Sequence, residues 1–329
     1  MHSERSVLVL ELGSKYVKCG LSEERASRCV LKWEVAELLQ NPMGAQQWYA
    51  YLYPKLHDIC FNLLHANPAH RRFLICEDML FPTVFREVVA KIIFSVMKAS
   101  SVAMVPSMLM AMYATCNHTA LVVDCGWAET RILPVYKGIP LVHLYRFDHF
   151  YFPIAATRMA SKSCCERIVH ELSNVPLFSM SNAEDVLERA CFVRPMINAA
   201  LRSSVVESLF KGDHTDVSIT IAILETIKKA PIDVRTALLE SILLVGGTSM
   251  IPGFVTRLVD ELMEEIQKES DKQTVRIVPT YFPRNMLPWI GGSVYAATES
   301  MRNVSVSSAQ YSSGDFQLSD WLSIAENEF

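Results

Sequence analysis

Leu8-Val-Leu-Glu-Leu-Gly-Ser-Lys15 is the stretch on which the fold turns, because Leu121-Val-Val-Asp-Cys-Gly-Trp-Ala128 repeats its plan. Each is an apolar run, a carboxylate, one further residue and a glycine, followed by a second apolar run (17–21 and 132–135). Short apolar runs broken by a glycine read as strands joined in a hairpin. Two such units more than a hundred residues apart predict two similar domains. Turns of this kind can present backbone amides to phosphate groups, since glycine lets an anion approach the chain closely.

Strands alternate with helices in the rest of the chain. Pro82 opens a helical run whose apolar positions are Phe85, Val88, Val89, Ile92, Ile93 and Val96, and proline suits a first helical position. Further helices are expected over 48–64, 107–115, 154–172, 183–193, 217–227 and 234–240, and another after Pro252 with the stripe Phe254, Leu258, Val259, Leu262 and Ile266. Strands are expected at 72–76, 102–105, 139–144, 242–245 and 275–278. From 303 to 329 the chain is serine-rich and aperiodic and reads as mostly irregular, with Trp321 as an anchor. The alternation predicts an α/β protein.

Composition narrows the function. The chain has 329 residues, half of them hydrophobic, and a net charge of −4. That is enough to bury a full core and leave apolar surface for partners. It carries no basic run suited to nucleic acid. Nine cysteines are scattered with no Cys-x-x-Cys pair, which favours reduced thiols in the cytosol over a disulfide or zinc framework. The polar start at 1–5 reads as no signal peptide. The apolar window 102–114 contains Pro106 and is too short to span a bilayer.

Four ordered motifs then resemble the nucleotide-binding segments of the actin family. They are Gly13-Ser14 with Lys18 and Gly20, Asp124-Cys-Gly126, Gly246-Gly-Thr-Ser-Met-Ile-Pro-Gly253, and Trp289-Ile-Gly-Gly292. The resemblance runs from about residue 7 to 297. It implies an actin-like fold of two lobes around an ATP cleft: 1–113 with 288–329, and 114–287. ATP or ADP with Mg2+ would be held by Gly13, Ser14, Lys18, Asp124 and Gly126, by Gly246 and Gly247 on the adenosine side, and by Glu188 at the ribose or base. Lys15 stands where the family has glycine; it contacts a phosphate, fills the space, or points to solvent.

The same resemblance implies weak chemistry. Glu11 replaces an aspartate. Trp127 and Ala128 replace Asp-Gly, Arg131 replaces a histidine that orders water, and Ser107 replaces the glutamine that orients it. Phosphoryl transfer needs a metal, a held γ-phosphate and a positioned water, so a pseudo-ATPase is expected.

A finer likeness rests on Asn67-Pro-Ala-His-Arg-Arg72, Phe85-Arg-Glu87, Ala230-Pro-Ile-Asp-Val-Arg235, Leu244-Val-Gly-Gly-Thr-Ser-Met250 and Asp320-Trp321. It is to the actin-related branch at the pointed end of dynactin. The region before Arg72 and the region 147–217 are both short for the family, so both lobe tips are expected to be reduced. This implies a cytoplasmic, cytoskeleton-associated subunit that caps the pointed end of the dynactin filament, joins other pointed-end subunits and supports dynein-driven transport. The alternatives are an active ATPase or kinase on the same fold, or a nuclear actin-related subunit of a chromatin remodeller.

Overall fold

The computed structural model describes residues 6–39, 41, 43–144, 156–175, 177–193, 201–212, 217–268 and 273–314. The chain divides into two compact units, Met1–Cys116 with Met286–Phe329, and Asn117–Asn285.

The first unit begins with β1 (Leu8–Leu12), β2 (Tyr16–Leu21), β3 (Cys29–Lys32), α1 (Ala36–Leu39) and α2 (Ala45–Asp58). It continues through β4 (Arg72–Glu77), α3 (Thr83–Lys91), β5 (Ser101–Pro106) and α4 (Ser107–Thr115). β1 is buried at every position, as a strand covered on both faces must be. It pairs antiparallel with β2 and parallel with β4.

The second unit repeats this plan. It contains β6 (Ala120–Cys125), β7 (Thr130–Tyr136), β8 (Ile139–Pro140), β9 (Ala156–Thr157), α5 (Ser161–Glu171) and α6 (Met180–Ala190). Then follow α7 (Leu201–Lys211), α8 (Ile219–Lys229), α9 (Ile232–Leu239), β10 (Ile242–Val245) and α10 (Phe254–Gln267). β6 pairs antiparallel with β7 and parallel with β10.

The chain returns to the first unit as α11 (Leu287–Ala296), α12 (Glu299–Val304), β11 (Val306–Ser307) and α13 (Ser308–Ser313). The first sheet runs β11-β5-β4-β1-β2-β3. The second runs β10-β6-β7-β8, with β9 also on β7.

Several expectations need correction. The helix after Pro82 ends in a π turn, Ile92–Val96, closed by the Met97 N–H donating to the Ile92 carbonyl at 3.0 Å. The wider turn carries Val96 out to 38% exposure and brings Met97 into the core. α2 likewise ends in a π turn, Ile59–Leu63. The strand expected over 139–144 stops at Pro140 and becomes a 3-10 turn, Val142–Leu144, since proline has no N–H for the ladder. The strand expected at 275–278 is a single bridge, Ile242 to Ile277. Residues 303–313 are ordered as part of α12, β11 and α13, with Ser307 Oγ accepting from the Gln310 N–H at the start of α13. Trp321 and the rest of 315–329 lie outside the described residues.

One packing motif explains two glycines. Gly291 and Gly292 lie on α11, where a Cβ on Gly291 would stand 1.6 Å from the Met110 carbonyl oxygen of α4. One on Gly292 would stand 2.5 Å from Cys76 Sγ on β4. Trp289, fully buried, donates its indole N–H to the Val9 carbonyl of β1 at 3.2 Å. In this unit Trp289-Ile-Gly-Gly292 therefore fastens a helix to the sheet and to α4.

Candidate nucleotide site

The first turn is fixed from one side. Trp33, buried at the end of β3, donates its indole N–H to the Gly13 carbonyl at 2.7 Å. The Ala36 N–H donates to the Ser14 carbonyl at 2.9 Å, and the Trp33 N–H to the Lys15 carbonyl at 2.9 Å. Three successive carbonyls are thus turned toward the segment 33–36. In a trans peptide the next residue's N–H points opposite to the carbonyl. The amides of Ser14, Lys15 and Tyr16 therefore face away from that segment, and successive amides on one side make a concavity for an anion. Gly13 closes the turn, donating to the Tyr16 carbonyl at 3.0 Å; a Cβ there would stand 2.9 Å from the same oxygen.

The charges of this turn are close-set. Glu11 and Lys18 are register partners across β1 and β2, and Lys18 Nζ lies 2.5 Å from Glu11 Oε1. The other oxygen of Glu11, Oε2, is buried with no hydrogen-bond partner. Such an orphan calls for a ligand, and water on a bound Mg2+ is a donor of the right kind. Lys15 is 2% exposed, with Nζ 5.5 Å from the centre of the Tyr16 ring, so it does not point to solvent.

In the second unit, the turn after β6 is held by Thr248, which is fully buried. Its Oγ1 donates to the Gly126 carbonyl at 2.6 Å and accepts from the Ser161 N–H at 3.2 Å. Its one hydrogen being committed, the Ser161 hydroxyl, 2.7 Å away, is the donor in their contact. The Lys162 N–H donates to the Trp127 carbonyl at 2.9 Å. The first two amides of α5 are therefore satisfied, one by Thr248 and one by the turn itself. Thr248→Val keeps the shape and removes these bonds. It is expected to lower unfolding free energy by roughly 2 kcal/mol, while Thr248→Ser stays close to wild type in a urea titration.

Asp124, next to last in β6, stands opposite Arg131 of β7, repeating the acid–base register of Glu11 and Lys18. Arg131 engages Glu129, Nη2 to Oε1 at 2.5 Å. Trp127 is half-buried and packs on the core of this unit. Ser107 is the first residue of α4, in the first unit. Glu188 is exposed on α6.

Gly246 and Gly247 differ in kind. Gly246 has φ +88°, and a Cβ there would stand 2.2 Å from the Cys125 carbonyl oxygen and 2.7 Å from Asp124 Oδ1. The fold alone requires glycine at that position. Gly247 has φ −67°, and a Cβ there would meet nothing within 4 Å. Among the described residues nothing excludes a side chain at Gly247, whereas a ligand lying close against the backbone would.

Arg284 and Asn285, which no motif in the sequence marks, also belong to this turn. The Gly246 N–H donates to the Arg284 carbonyl at 3.3 Å, and Arg284 Nη1 to the Ser249 carbonyl at 3.2 Å. Arg284 Nε and Asn285 Oδ1 are buried without hydrogen-bond partners. A donor and an acceptor left open beside the Gly-Gly turn match what a ligand with both kinds of group would satisfy. The only sequence signal was their place just before the Trp289 motif.

Taken by itself, each unit thus offers groups that fit part of a nucleotide. The first turn offers an anion concavity with cations and an unpartnered carboxylate oxygen, and the second unit offers an open glycine with two unsatisfied polar atoms. Two units on one plan, each with a strand–acid–glycine hairpin, define the actin-like class. A family model described as Actin matches residues 54–202 and 195–315, and the chain belongs to the actin family. It is similar to actin-related protein 10 of Dictyostelium discoideum, at 22% identity over 89% of this chain and 82% of that protein. Among the described residues, no helix is long and apolar enough to cross a membrane, and no group of three or more His, Cys, Asp or Glu is placed to hold a metal ion.

Proposed function

We propose that this chain is a non-catalytic structural subunit of dynactin that caps the pointed end of its actin-like filament and connects to the other pointed-end subunits. One observation carries the reading: every described strand of the first unit belongs to its one six-stranded sheet. The connection from β3 to β4 is made of α1, α2 and a π turn, with no second sheet among the described residues. A family tip able to grip the next subunit has no counterpart in those elements. A subunit that offers one good surface and lacks the other joins a head-to-tail assembly and ends it. The likeness to actin-related protein 10 supports the same reading.

ATP or ADP with Mg2+ would act as structural glue, the metal neutralising phosphate charge. Gly13, Ser14 and Lys18 would face the phosphates in the first unit, Asp124 and Gly126 in the second, with Gly246, Gly247 and Glu188 toward the nucleoside. Hydrolysis would be poor. Ser107 is too short to orient a water, Arg131 is committed to an ion pair, and Trp127 supplies bulk where a carboxylate would be needed.

The test of the main reading is a gentle pull-down of the tagged chain from its own cells, read by mass spectrometry. Recovery of filament and pointed-end subunits of dynactin in comparable amounts is expected; remodeller subunits, or no partners, would reject it. Phosphate release should be indistinguishable between wild type and Asp124→Asn, and turnover lost in that variant would reject the pseudoenzyme. Gly247→Ala is expected to change stability by no more than about 0.5 kcal/mol yet weaken nucleotide binding at least several-fold, measured by calorimetry. An unchanged affinity would remove Gly247 from the site.

A further inference from the structure

Cys19 and Cys29 stand directly opposite each other across β2 and β3. Facing residues of an antiparallel pair have Cα atoms about 4.5 or 5.5 Å apart, and both spacings fall within the span of a disulfide. The two side chains share a face: Cys19 is fully buried in the core of the first unit, and Cys29 packs against the same core from the edge strand. Cys19 Sγ lies 3.7 Å from the Cys29 carbonyl oxygen, close to the base of the opposing side chain. Both thiols are free. They differ in access, since Cys19 is fully buried and Cys29 is only partly buried. In the described strand ladders no other two cysteines face each other. Cys116 is exposed, but it lies past the end of α4 and in no ladder.

We propose that Cys19 and Cys29 are an oxidisable pair that closes into a reversible cross-strand disulfide on reaction with glutathione disulfide. Cys29 is the thiol the oxidant can reach. Its thiolate attacks one sulfur of glutathione disulfide, forms a mixed disulfide and releases one glutathione thiolate, which takes up a proton. Cys19 then loses its proton and attacks the Cys29 sulfur. The bond to glutathione breaks, the protein disulfide forms, and a second glutathione leaves as its thiol. Two protein thiols are oxidised and one glutathione disulfide is reduced to two thiols, so electrons and protons balance.

The order of events follows from the surroundings. Burial, and next the charge and hydrogen bonding of Cys29, push Cys19 up to about 12. Little Cys19 thiolate exists near neutrality, so the second step is the slow one and quickens as pH rises. The bridge ties the edge strand β3 to β2. The segment that follows β3 holds the carbonyls of the first turn, so oxidation fixes the turn's supporting wall to the strand that carries Lys18.

The test uses the full chain with glutathione disulfide, followed by alkylation of remaining thiols, digestion without reduction and mass spectrometry. A glutathione adduct at Cys29 is expected first, then its decline as a linked Cys19–Cys29 peptide grows to the major form, reversed by dithiothreitol. Cys19→Ser should stop at the Cys29 adduct. Cys29→Ser should give neither product at either position. The wild-type time course decides the matter even where a variant folds poorly. A Cys29 adduct that persists with no linked peptide, no reaction at Cys29, or a bridge joining a different pair would each overturn the proposal.

Discussion

Gly291→Ala is expected to cost about 3 kcal/mol or more, enough to consume much of a typical domain's stability of roughly 5–15 kcal/mol. The new methyl would begin 1.6 Å from the Met110 carbonyl oxygen, 2.5 Å from its carbon and 3.1 Å from the Ala114 nitrogen, all backbone atoms of α4. Backbone cannot step aside as a flexible side chain does, so α11 must lift from α4. Lifting α11 withdraws Trp289 from its fully buried seat and stretches its bond to Val9. The gain in helix propensity from replacing glycine is only about 1 kcal/mol and does not offset this. Soluble yield and the midpoint of urea unfolding are the measurements. A midpoint within error of wild type would show that the two helices can separate at little cost, contrary to this packing. Gly247→Ala is the matched control, because its methyl meets nothing.

Arg86→Met should be nearly as damaging, by a different route. Arg86 on α3 and Glu77 at the end of β4 are both almost completely buried, at 7% and 1% exposure. The guanidinium meets the carboxylate through Nη2 at 2.6 Å and through Nε at 3.0 Å to both oxygens. Removing the cation alone leaves a buried carboxylate without its main partner, which costs about 3–5 kcal/mol. Removing both charges together is cheaper, since desolvation of the pair already consumes most of its attraction. Glu77→Leu with Arg86→Met is expected to recover at least half of the loss. A double-mutant cycle in denaturant measures it, and a double variant no better than the single one would refute the argument.

The repeated hairpin was legible because its information is local: a strand pattern, an acid and a glycine at fixed spacing. From it and the ordered motifs came the α/β class and the actin-like fold. The helix over 107–115 and the buried run at 242–245 were equally local, and both are where the residues put them. What could not be read depends on contacts distant in sequence. Nothing near Val96 announces a π turn, which arises where the helix end meets the core through Met97. The run at 275–278 has strand-like residues but only one bridge to β10. Among the glycines, sequence alone cannot tell Gly246, demanded by the Cys125 carbonyl, from Gly247, demanded by nothing among the described residues. Nor does it show that Trp33 stands behind the first turn, or that Arg284 and Asn285 keep polar atoms open beside the other.

The anchoring of the first turn sets a limit on how small this protein can become. Trp33 to Ala36 open the connection from β3 to β4. Those four residues act as a shared footing: whatever stands on this connection, its base also holds up the room next door. Any natural or engineered shortening of this connection must spare 33–36, and a deletion that enters that segment should cost the turn its shape even though it touches no residue of the turn itself.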